Sequence, residues 1–128
     1  MPTQTEVIHK LEQELRAAED HAYEAQDLWL VKKEQALAAL LNEIEASAVL
    51  KDARKASAHA ATWQSSEDYV AVRKAEIEAH AVAQAAREAS IEAHAIAQAA
   101  REVMLEAKAA KATKFAALKA AIEAGRAA

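Results

Sequence analysis

The sequence predicts an all-α protein: one long antiparallel α-helical hairpin, an alanine-rich coiled coil that associates further into a helical bundle or larger assembly. Three observations predict it. Alanine fills 38 of the 128 positions, against 23 for Leu, Ile and Val together, and a single glycine (Gly125) and a single proline (Pro2) leave almost no turn chemistry. Three consecutive blocks of fourteen residues, Ile77 to Ser90, Ile91 to Met104 and Leu105 to Leu118, begin IEAHAVAQAAREAS, IEAHAIAQAAREVM and LEAKAAKATKFAAL. Fourteen residues are two heptads, the period of a helix that keeps one face against a partner. The two ends of the chain carry opposite charge, which favours folding back on itself.

Taken in order, Thr3-Gln-Thr-Glu6 has the spacing of a capping box just after Pro2 and opens a helix over about residues 4–61. No Gly or Pro follows until Gly125, where a glycine C-cap is expected. The break falls at residues 62–66, in Thr-Trp-Gln-Ser-Ser-Glu-Asp: Ser65 or Ser66 reads as an N-cap with acids in the first turn. A second helix then covers about residues 67–124, so residues 1–128 form a single hairpin. Each helix would run to about 85 Å at 1.5 Å per residue, a length that belongs to coiled coils.

Residues 1–28 hold seven acids against Lys10 and Arg16, and residues 105–128 hold Lys108, Lys111, Lys114, Lys119 and Arg126 against Glu106 and Glu123. Reversal at residues 62–66 lays these stretches side by side. In the second helix the seam is read as one column through Val72, Ala79, Ala86, Ala93, Ala100, Ala107, Lys114 and Ala121. The other column is read through Ala75, Val82, Ala89, Ile96, Val103, Ala110, Ala117 and Ala124. Ile77, Ile91 and Leu105, flanked by Ala81, Ala95 and Ala109, lie opposite and need a second partner. In the first helix Leu11, Leu15, Ala18, Ala22, Trp29, Leu37, Leu40, Ile44 and Ala48 follow an eleven-residue spacing, which favours straight or slightly right-handed packing.

Candidate interface residues are therefore Val72, Val82, Ile96, Val103, Ile77, Ile91, Leu105 and Trp29, and candidate turn residues are Trp63, Ser65 and Ser66. Trp63-Gln64-Ser65 resembles the Trp-x-Gly turn of a family of small secreted helical hairpins, with Ser65 in place of its glycine and a longer chain. The resemblance implies a secreted helical hairpin. The residues themselves imply that Trp63 caps the end of the hairpin.

Chemistry is sparse. Glu6 and His9 have the Glu-x-x-His spacing of di-iron bundles, but that site needs the motif twice and two more carboxylates. Arg73, His80, Arg87, His94, Arg101 and Lys108 form a basic column beside acids at Glu78, Glu92, Glu106, Glu88 and Glu102. The five serines lack a nucleophile turn, there is no Gly-rich phosphate loop, and there is no cysteine for a thiolate or disulfide. A net charge of −4 disfavours nucleic acid as a partner. No catalytic, metal or cofactor-binding residue is expected, and the chain is expected not to be an enzyme.

The expected function is that of a structural, self-assembling helical protein, such as a virion or appendage component, whose partner is a second copy of itself. The alternatives are a small acidic adaptor or inhibitor that binds another helical protein, and the secreted hairpin. The acidic start lacks the basic and apolar regions of a signal peptide, and no apolar run approaches a membrane span. The expected location is cytoplasmic by default, or within an assembled particle.

Overall fold

The computed structural model describes residues 2–62 and 66–127. Two long helices, α1 (Gln4–Ala60) and α2 (Ser66–Ala127), pack against each other as an all-α helical hairpin, with no strand among the described residues. The capping box forms: the Glu6 amide donates to Thr3 Oγ1 at 3.2 Å and the Thr3 amide donates to Glu6 Oε2 at 3.3 Å. Two of the orphan donors at the start of α1 are satisfied in this way.

At the far end of α1 the Ala61 amide donates to the Ser57 carbonyl, and both the amide and the hydroxyl of Thr62 donate to the His59 carbonyl. The carbonyls left free by the last turn are thus used locally. Ser66 opens α2 and Glu67 and Asp68 occupy its first turn, where the helix dipole favours acids. The expected cap at Trp63 and N-cap at Ser65 lie outside the described residues. Gly125 corrects an expectation. It is not a C-cap, because α2 continues through it to Ala127 and no glycine has a positive φ. Its missing Cβ serves a close approach instead: the Gln4 side chain occupies the space a methyl would need.

The chain divides into two compact units, Met1–Lys32 with Ala97–Ala128, and Lys33–Ile96. In the first, Ala22, Ala25, Met104 and Ala107 form a buried cluster against which Trp29 packs. Lys114 Nζ donates to Glu14 Oε2 at 3.1 Å, and the Lys111 ammonium stands 5.6 Å from the centre of the Tyr23 ring. An acid of the first helix thus meets a base of the second, as the opposite end charges predict. Both side chains of the Glu14–Lys114 pair are partly solvated, so it adds only about 0.2–1 kcal/mol.

In the second unit Ala46, Leu50, Ala79, Ala83 and Ala86 are buried together, with Ala53 packed on them. Glu76 also enters this contact. The Ser57 hydroxyl donates to its carboxylate, Arg73 Nη1 lies 2.9 Å from Oε2, and Arg54 adds a favourable charge. These partners, Ser57 first, hold the Glu76 carboxyl below its ordinary pKa.

Burial corrects the expected seam in both helices. On α2 the first column stands, with Val72 and Ala93 half-buried and Ala79, Ala86, Ala100 and Ala107 buried. The second column runs one residue later than expected, through Glu76, Ala83, Ser90, Ala97, Met104, Lys111 and Leu118. Val82, Ile96 and Val103 accordingly face outward. On α1 the inward positions follow alternating steps of three and four, not eleven: Trp29, Lys32, Ala36, Ala39, Glu43, Ala46, Leu50, Ala53, Ser57 and Ala60. Of the expected α1 column, Leu11, Leu15, Ala18, Ala22 and Trp29 do face inward, whereas Leu37, Leu40, Ile44 and Ala48 are exposed. The physical reason is the same in both helices: most inward side chains have one carbon and allow closely spaced backbones, which leaves room for a larger side chain at only a few places such as Leu50 and Met104.

Candidate assembly surface

Small residues are inside this hairpin and large ones outside. Among the described residues, ten of the twelve buried apolar residues are alanine, the others being Leu50 and Met104, while Leu, Ile, Val, Tyr and Phe side chains are exposed along both helices. The fourteen-residue repeat preserves that inversion. In the first two blocks its inward positions read Ala79, Ala83, Ala86, Ser90 and Ala93, Ala97, Ala100, Met104. Its large aliphatics, Ile77, Val82, Ile91 and Ile96, all stand 45–62% exposed.

A residue advances 100° round an α-helix, so the surface of α2 can be laid out in columns. On one flank of the seam lie Val82, Ile96 and Val103. On the other flank lies the basic column Arg73, His80, Arg87, His94, Arg101 and Lys108. Beyond the basic column come Ile77, Ile91 and Leu105 with Ala81, Ala95 and Ala109, and beyond those Glu78, Glu92 and Glu106. Every member of these outward columns is exposed. Ile77 and Ile91 belong to the second unit and Leu105 to the first, so each unit carries its own part of the stripe.

A second apolar stripe, absent from the expected set, lies on α1. Leu37, Leu41 and Ile44 of the second unit are spaced by four and three residues and are all exposed, and Leu30 of the first unit, seven residues before Leu37, is exposed as well. The spacing of the small residues Ala36, Ala39, Ala46, Ala53, Ser57 and Ala60 was the signal for it, since that column claims the inward face. Of the other expected interface residues, Val72 is half-buried in the seam and Trp29 half-buried on the Ala22–Met104 cluster.

Arg54, His80 and Arg87, with Ser47, Leu50, Ala83 and Gln84, line an open groove of about 350 Å³ whose wall contains no carboxylate. His94 turns to its own helix, its Nδ1 lying 2.8 Å from the Ser90 carbonyl. His9 takes a hydrogen bond of 3.3 Å from the Gln13 amide. Among the described residues no three His, Asp or Glu gather into a group that could hold a metal ion. No described helix is long and apolar enough to cross a membrane. Compared with known proteins, the chain matches no family model, no curated protein and no solved structure.

Proposed function

We propose that this chain is a non-catalytic structural subunit that acts by helix-to-helix self-association, as a component of a multi-subunit assembly. The observation that carries the reading is the inversion of size between inside and outside. Folding the hairpin buries alanine methyls worth about 0.8 kcal/mol per carbon, while 16 of the 23 Leu, Ile and Val side chains stay exposed, at 37–63% of their area. Soluble monomers rarely expose contiguous apolar patches of more than a few hundred Å². Columns of Ile, Leu and Val repeated at heptad spacing are helix faces awaiting a partner. Among the described residues, nothing on these faces converges on an enclosed, water-poor concavity of the kind a chemical step needs.

The test is the mass of the purified chain by sedimentation equilibrium over a range of concentrations. An oligomer that dissociates on dilution supports the proposal. A monomer at every concentration would overturn it and favour a different protein as the partner of these faces.

A further inference from the structure

We propose that two copies of α2 pack parallel and in register through the Ile77–Ala81–Ile91–Ala95 stripe, with Arg87 of each chain paired to Glu92 of the other. The inference deepens the self-association reading and rests on it. Ile77, Ala81, Gln84, Glu88, Ile91 and Ala95 advance by alternating steps of four and three and are all exposed, which gives α2 a second seam besides the one facing α1. Gln84 and Glu88 interrupt this seam with polar groups; in register Glu88 of each copy meets Glu88 of the other, a like-charge cost that the adjacent Arg87 of both copies has to offset.

The flanks of this second seam differ in sign. One side is wholly basic, with Arg73, His80 and Arg87 in this unit. The other side carries only acids and alanine, Glu78, Ala85 and Glu92. When two helices pack antiparallel, like flanks meet, so arginine would face arginine and glutamate would face glutamate. When they pack parallel, opposite flanks meet, and flanking charges are what set orientation in such pairs.

The spacing agrees with parallel packing. In a parallel in-register pair, a residue on the leading flank faces the residue five places further on in the partner helix. Arg73 and Glu78, Arg87 and Glu92, and, in the other unit, Arg101 and Glu106 are each five apart. His80 and His94 fall opposite Ala85 and Ala99 in the same scheme. Arg87 and Arg101 have no acid three or four residues away on their own helix, and neither makes an ion pair among the described residues. Glu88 and Glu92, four apart, repel each other within one helix, and an arginine from a second copy offsets that cost.

The chain has no cysteine, so single-cysteine variants report orientation directly. Ala81→Cys and Ala95→Cys are each oxidised alone and then as a mixture, and linked peptides are mapped by mass spectrometry. The parallel in-register pair gives a covalent dimer from each variant alone and, in the mixture, no disulfide joining position 81 to position 95. Links formed only between positions 81 and 95 would overturn it. No link from a protein that still sediments as an oligomer would overturn this surface alone, whereas a monomeric mass would overturn the self-association reading beneath it. Charge exchange gives an independent readout. Arg87→Glu and Glu92→Arg should each weaken the dimer about tenfold, through several pairs of modest individual worth, and the combined variant should recover to within about threefold. Failure of the combined variant to recover would remove the Arg87–Glu92 pairing.

Discussion

Ala86→Leu is the sharpest test of how the two helices meet. Ala86 is 5% exposed and clustered with Ala46, Leu50, Ala79 and Ala83. If the seam had room, three added carbons would gain about 2.4 kcal/mol, at about 0.8 kcal/mol per buried carbon. An ordinary leucine seam would welcome them. Ala86 is already buried against Ala46 and the larger Leu50 of α1, so the new side chain must push the helices apart or leave its rotamer, and overpacking of that kind costs about 1–3 kcal/mol net. Ala56, which is exposed and lies in none of the apolar columns, is the control: Ala56→Leu carries the same change in helix propensity, about 0.2 kcal/mol, and none of the crowding. Urea unfolding of both variants, at one fixed protein concentration, separates the cases through the midpoint at unchanged slope. A midpoint for Ala86→Leu above that of the unmodified chain would refute the close alanine seam.

Two further substitutions probe the ends of the account. Gly125→Ala should raise stability by up to about 1 kcal/mol, because Gly125 is helical and the group in the way of a methyl is only the flexible end of Gln4; a loss of stability in thermal unfolding would mean that Gln4 cannot move aside. The lowered pKa of Glu76 predicts a pH dependence of definite sign. Its partners stabilise the folded chain when the carboxylate is ionised, above its unfolded pKa near 4.5, and that contribution is lost as pH falls through the lower folded value. Unfolding followed from pH 6 to 3 should therefore lose stability less steeply in Glu76→Gln than in the unmodified chain, and equal slopes would remove Glu76 as a source.

Much of the fold was legible because the signals were local or summed over many residues. Thr3 and Glu6 announced a cap that forms, the serine and acid cluster lies where α1 has ended and α2 begins, and the alanine excess fixed the class. The seam itself was legible only in part. One column of α2 was read correctly, but the second was assigned to Val82, Ile96 and Val103 on the rule that the larger aliphatics turn inward. On α1 the same rule selected Leu37, Leu40 and Ile44 over Ala36, Ala39 and Ala46.

Both errors have one cause. Apolar residues are spread round most of each helix, so periodicity alone gives several candidate faces. Which one turns inward depends on how closely the backbones can approach, a property of the pair that neither helix shows by itself. The same spread explains why the α1 stripe of Leu30, Leu37, Leu41 and Ile44 was missed as a surface. Leu37 and Ile44 belong to the expected inner column, and Leu30 and Leu41 to no expected column.

The central claim is that the exposed aliphatic columns are interfaces between copies. The most direct measurement is sedimentation equilibrium of the unmodified chain beside the double variant Ile77→Gln, Ile91→Gln, with circular dichroism on the same samples. Each isoleucine is about 60% exposed, so association can still bury roughly 1–2 kcal/mol of apolar area per side chain, and a dimer contains four of them. Part of that is offset by the cost of bringing two chains together. The account predicts an oligomer for the unmodified chain and a dissociation constant at least a hundredfold weaker for the variant, with helical content kept at high concentration. An unmodified chain that stays monomeric, or a variant whose mass is unchanged, would contradict it.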